Sequence, residues 1–232
     1  MDAFADAIRE GARAGITPLR PLAIAESRVA PDIVVMEVVT ADGIIVCLRH
    51  GLDAGEDATT LFLGGALGGL SGPAHGLYHT VGRKLGGVRI HYRKPGRLED
   101  CFFDVLLVQH LLSRRGVERV ALVGHSFGGA VAVGAGVLLG QATAGVVALS
   151  TQVPGTEAVD RLTAPLLLVH GDNDGVLPDL CSHNVHDRAT SARSRELVVL
   201  PGEGHLLDGP AAADLADRVA VFLQSALAEG AV

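Results

Sequence analysis

Short apolar runs recur along the chain, separated by glycine-rich or polar breaks and by longer segments suited to helices. TTLFL at 59–63, VRIHY at 88–92, RVALVG at 119–124, GVVALS at 145–150, PLLLVH at 165–170 and ELVVLP at 196–201 read as strands. Their mostly unbroken apolar character predicts burial on both faces, since a strand covered on one face alone would alternate. Helices are expected near 73–85, near 98–115, from about 127 to 140, near 178–191, and from Pro210 onward. Earlier, IVVMEVV and IIVCLR flank Ala41-Asp42-Gly43 and predict an antiparallel hairpin. Strands alternating with helices through short connections imply right-handed crossovers and an α/β fold, with a mostly parallel central sheet and helices on both faces. Residues 2–14 fit a short amphipathic helix with Phe4 and Ile8 on one side, followed by a stiff connector through Pro18 and Pro21. Residues 1–25 are therefore read as an arm, suited to packing or to a homodimer contact, and residues 26–232 as one α/β domain.

Composition narrows the function classes. Aromatic residues make up only 3% of the 232 residues and Trp is absent, so the core is built from Val, Leu, Ala and Ile. A net charge of −7 with no basic stripe excludes nucleic acid as a partner, and the basic cluster between residues 83 and 97 reads as a solvated face. Cys47, Cys101 and Cys181 are too few and too scattered for a disulfide framework, which points to a reducing cytoplasm. The first residues, MDAFADAIREGARAG, carry neither a basic start nor an apolar core, so no signal peptide is expected. Nor is there an apolar run of about twenty residues to enter a membrane.

Candidate chemistry starts at Gly124-His125-Ser126-Phe127-Gly128. A G-x-S-x-G pattern acquires meaning between a strand and a helix, where the serine sits at the apex of a strained turn and the flanking glycines let the two elements pass closely. A serine hydroxyl is a poor nucleophile unless a base takes its proton and a third group orients that base. Asp172 and Asp174 follow the strand at 165–170, and His205 follows the strand at 196–201. The order is Ser, Asp, His, each just past the carboxyl end of a strand, where open α/β sheets place their sites.

From about residue 33 to the last helix the chain resembles the α/β-hydrolase superfamily, through GHSFG, the G-x-x-D-x-x-x-P stretch from Gly171 to Pro178, and the PGEGH loop. The resemblance selects Asp174 as the acid and leaves Asp172 to bond loop N–H groups. It implies a Ser126, Asp174 and His205 triad that hydrolyses an ester or thioester of a small-molecule acyl substrate, with no cofactor. The Phe127 N–H is one expected donor to the developing oxyanion. The second comes from Gly64-Gly65-Ala66, where similar enzymes usually carry His-Gly-X; register favours Ala66, with Gly65 the alternative. Only TQVPGTEAVDRLTA separates Ser150 from Pro165, too little for a lid domain. The pocket is thus expected to be open and shaped by loops at 66–79, 93–97, 151–157 and 176–184, with Gly65, His75, Tyr78, His79, Val153 and Val176 as lining candidates. A compact, capless chain of this kind is similar to small carboxylesterases and to the dienelactone hydrolase branch, which commonly uses cysteine where Ser126 stands here.

Rival readings are weaker. His75 with His79, and Cys181 with His183 and His186, lack the partners of a metal site. As a phosphate loop, residues 64–70 place Leu70 where a lysine is required. Peptidase, lactonase, or lyase and cyclase chemistry would use the same fold and triad. A non-catalytic binding protein is the reading of another class, disfavoured because it would have no chemical reason to keep all three residues.

Overall fold

The expected hairpin forms between β2 (Ile33–Thr40) and β3 (Gly43–His50), closing at the Thr40–Gly43 pair in this computed structural model, which describes residues 19–51 and 57–229. Solid apolar runs become β4 (Ala58–Leu63), β5 (Gly87–His91), β6 (Arg119–His125), β7 (Thr143–Leu149), β8 (Leu166–Gly171) and β9 (Arg195–Leu200). The helices are α1 (Leu77–Leu85), α2 (Leu98–Ser113), α3 (Phe127–Leu139), α4 (Leu180–Arg188) and α5 (Ala212–Ala228).

One further strand escaped the sequence reading. β1 (Pro21–Ala30) pairs antiparallel with β2, so the arm boundary at residue 25 falls inside a strand. Its residues are nearly all exposed, because as an edge strand it has one neighbour and little to cover. It therefore carries no solid apolar run for a pattern search to find. The expected helix at 2–14 lies outside the described residues.

The nine strands run in the order β1-β2-β3-β5-β4-β6-β7-β8-β9. From β5 to β9 all pairings are parallel. Alternate residues feed two cores. Leu61 and Leu63, Val120 and Leu122, and Leu166 and Leu168 face one layer, packed by α2, α3 and α4. Phe62, Ala121, Val123, Leu167 and Val169 face the other, packed by α1 and α5. Helices thus cover both faces of the sheet, and the chain changes direction of winding between β5 and β6, which opens a crevice at the carboxyl ends of β4 and β6.

A buried ion pair anchors the antiparallel side. Asp104 on α2 is fully buried and accepts from the Arg93 Nε at 2.5 Å and from the Arg93 backbone N–H at 2.8 Å. Burial pushes its carboxyl up to about 6 although both Arg93 bonds pull it down. Arg93→Met would strand this carboxylate, so at pH 8 the variant is expected to lose about 3–5 kcal/mol of unfolding free energy. The loss should shrink at pH 5, where Asp104 takes up a proton and no buried charge remains; urea titrations at the two pH values check both the size and the sign.

Candidate active site

Ser126 joins β6 to α3 at φ 57° and ψ −122°, a left-handed conformation that costs a non-glycine residue on the order of 1–3 kcal/mol. Steric fit holds it there. A methyl at Gly124 would drive into the Gly128 carbonyl, and one at Gly128 into the carbonyls of Leu63 and Gly64. The strand, the helix start and the end of β4 therefore touch backbone to backbone.

The three side chains expected to act together meet. Ser126 Oγ lies 3.0 Å from His205 Nε2, and His205 Nδ1 lies 2.7 Å from Asp174 Oδ2. Since a carboxylate only accepts, Nδ1 carries the ring proton and Nε2 is left to accept from the serine hydroxyl. The Asp174 carboxylate is fully buried, and its Oδ1 takes the N–H groups of Val176 and Leu177 at 2.8 and 2.9 Å. Burial alone would raise its pKa, but these N–H bonds and the His205 ring outweigh that and hold the group below its ordinary value. Asp172, the alternative acid, points elsewhere and accepts from the Gly202 N–H at 2.6 Å.

Other polar groups fix the loop that carries His205. The His125 Nε2–H donates to the His205 carbonyl at 2.8 Å, and burial pushes the His125 ring down to about 4, which keeps it neutral. Glu203, 1% exposed, accepts from the N–H groups of Gly209 and Ala211 just before α5. His170, at the end of β8, also reaches Asp174 Oδ2, at 3.2 Å. None of these three roles was read from the sequence, although His125 stands inside GHSFG and Glu203 inside PGEGH. The partner of His125 lies 80 positions away on another loop.

Beside Ser126 is a cavity of about 420 Å³, walled mainly by residues 64–72, so of the four loops expected 66–79 contributes and 93–97, 151–157 and 176–184 do not. Gly65, Ala66 and Tyr78 border it. The Tyr78 hydroxyl donates to the Leu63 carbonyl at the strand end, the Arg89 guanidinium donates to the Leu70 carbonyl, and the Gly69 N–H donates to His91 Nδ1, so two side chains pin the loop and a third the end of β4 that leads into it. His75, His79, Val153 and Val176 do not line the cavity. His75 precedes the helix it was expected to join, at φ 55°, and bonds the Asp208 carbonyl. His79 is exposed, with its ring 5.5 Å from that of His50. The Val153 carbonyl closes a turn with Thr156, and Val176 is 68% exposed with only its N–H turned to Asp174.

A larger hollow, about 680 Å³, lies near Leu19, Arg93 and Arg97 and shares no lining residue with this cavity. The basic cluster there faces acids instead of water alone: Arg93 and Lys94 pair with Asp42, and Arg97 with Asp100. Among the described residues no three His, Cys, Asp or Glu side chains are grouped to hold a metal ion.

Sheet order, strained serine turn and site position define an α/β-hydrolase enzyme of the ester-hydrolysing kind. The sequence profile of a family described as phospholipase/carboxylesterase matches residues 103–222, and the chain belongs to that family. Among solved structures it is similar to Est1E from Butyrivibrio proteoclasticus, with a TM-score of 0.70 and 16% identity over 84% of this chain and 99% of that one. An esterase of Pyrococcus furiosus gives a TM-score of 0.68 and 16% identity over 89% and 99% of the two chains. Dienelactone hydrolase from Anabaena variabilis gives 0.64 and 15% over 87% and 98%. At such identities the likeness is one of fold. No curated protein matches the chain in sequence.

Because glycine adopts the Ser126 backbone conformation without strain, Ser126→Gly is expected to raise unfolding free energy by about 1 kcal/mol. Thermal denaturation should show the midpoint rising by about 2–4 °C; an unchanged or lower midpoint would mean that the turn is not strained.

Proposed function

We propose that the chain hydrolyses carboxylic esters or thioesters by nucleophilic attack of Ser126, through an acyl-enzyme. The observation that carries this reading is the position of the His205 ring, within hydrogen-bond reach of both the Ser126 hydroxyl and the Asp174 carboxylate. His205 Nε2 takes the hydroxyl proton as Ser126 Oγ bonds to the substrate carbonyl carbon, and Asp174 compensates the imidazolium. The proton passes to the departing alcohol or thiol, leaving the acyl-serine. Water then gives a proton to the same nitrogen, attacks the acyl carbon, and the acid leaves as the proton returns to Ser126.

Oxyanion stabilisation falls to the N–H groups of Phe127 and Ala66. Neither donates to a partner among the described residues, and the Gly68 N–H closes the turn that carries Ala66 on the Gly65 carbonyl at 2.9 Å. The cavity has no Asp, Glu, Lys or Arg in its lining, and Leu67, Leu70 and Leu206 supply apolar surface. It suits an uncharged group, because a charge buried there would lose its water without gaining a partner. No helix among the described residues is long and apolar enough to cross a membrane. Cys47, Cys101 and Cys181 are free thiols, which suits a reducing cytoplasm.

Ser126→Ala is expected to abolish turnover of a short p-nitrophenyl ester while circular dichroism stays unchanged, and a fluorophosphonate probe should label the unaltered chain at Ser126 alone. Labelling that persists in the variant would refute the assignment. Ala66 has a negative φ and follows the first residue of a four-residue turn, a position that accepts proline. Ala66→Pro should therefore remove one N–H with little backbone change, and kcat should fall by roughly 10²-fold to 10³-fold.

A further inference from the structure

Below Asp174 lies a histidine that the proposed chemistry does not use. His170 is fully buried, with Nε2 3.2 Å from Asp174 Oδ2 and 3.1 Å from the Leu177 carbonyl. Its Nδ1 lies 2.7 Å from Ser182 Oγ, a hydroxyl on α4 that is fully buried as well. An ionised carboxylate and a carbonyl only accept, so Nε2 carries a proton that both share. In the neutral ring Nδ1 then accepts, and the Ser182 hydroxyl donates to it.

We infer that His170, oriented by Ser182, is a positioning residue for the proposed reaction. Its Nε2–H fixes the Asp174 carboxylate with Oδ2 toward His205 and shares part of the charge that this oxygen presents to the imidazolium. The inference rests on the assignment of Ser126, His205 and Asp174 above. Four donors meet at the carboxylate: Val176 and Leu177 N–H at Oδ1, His205 and His170 at Oδ2. Rotation of the carboxyl group would break several of these bonds at once, and Ser182 extends the chain of contacts to five side chains, from α4 to Ser126. Two other titratable groups lie nearby. His125 is held by the His205 carbonyl, and the Cys181 thiol is pushed up by burial and then by the Asp174 charge; neither bonds the carboxylate among the described residues.

A ring that only filled space could be replaced by an apolar side chain without altering how His205 titrates. The variants are His170→Leu, which removes the donor, and His170→Gln, whose amide N–H can occupy the place of Nε2–H. For His170→Leu, kcat on a neutral p-nitrophenyl ester should fall roughly tenfold to a hundredfold with KM within about twofold, since misplacing a reacting group acts on the chemical step. With less of its charge shared, Asp174 should hold the imidazolium more firmly, so the acid limb of kcat/KM should move to higher pH. His170→Gln should restore much of both. Ser182→Ala should shift kcat and the acid limb in the same directions by less, and Ser182→Thr should recover them. Unaltered kcat and acid limb in folded His170→Leu would overturn the inference; should that variant fail to fold, unaltered values in Ser182→Ala would overturn it. Fluorophosphonate should still label Ser126 in all four variants, whereas ester turnover by Ser126→Ala would sink the underlying assignment instead.

Discussion

Gly124, Gly128 and the carbonyls of Leu63 and Gly64 occupy a space with no room for a methyl group, and much of the site follows from that contact. With the strand, the helix start and the end of β4 pressed together, the turn between β6 and α3 has few conformations open to it, and Ser126 is held at its strained apex. The same contact sets the 64–72 loop beside the first N–H groups of α3. The proposed nucleophile and oxyanion donors are neighbours because three backbones are. Packing energy from two apolar layers, spread over the whole sheet, offsets the local strain.

The proposed acid and base arrive on separate loops, and hydrogen bonds join those loops together. Asp172 takes the Gly202 N–H, the Asn173 N–H reaches the Glu203 carbonyl, and Glu203 in turn ties the segment to the start of α5. Charge is kept where it is matched. Asp174 is buried yet stays below the ordinary carboxylate range because N–H donors surround it, whereas His125, buried beside His205, is kept neutral. A second imidazolium next to His205 would oppose the proton transfer that the proposed reaction needs.

Legibility in the sequence followed the amount of burial. The inner strands of the parallel sheet showed as apolar runs because both their faces are covered, and the hairpin showed through Asp42-Gly43. Edge strand β1 did not show, since one neighbour and an exposed surface leave no pattern. The start of α1 was placed too early because Ala74, His75 and Gly76 all have positive φ, which composition does not announce. Ser126, Asp174 and His205 were legible because each sits in a short motif at a strand end. The pocket walls were legible in part: Gly65 and Tyr78 border the cavity, whereas His75, His79, Val153 and Val176 stand near the site in sequence and do not line it.

By itself the sequence determined the α/β alternation, the serine turn and the order of the three candidate residues, because periodicity and tight-turn sterics act over a few neighbouring positions. Only the tertiary structure decided that His170 and Ser182 stand behind Asp174, that His125 holds the His205 loop, and that one glycine-rich loop walls the cavity. Those contacts join residues up to 80 positions apart, and the direction of a side chain across such a gap depends on the packing of the whole sheet.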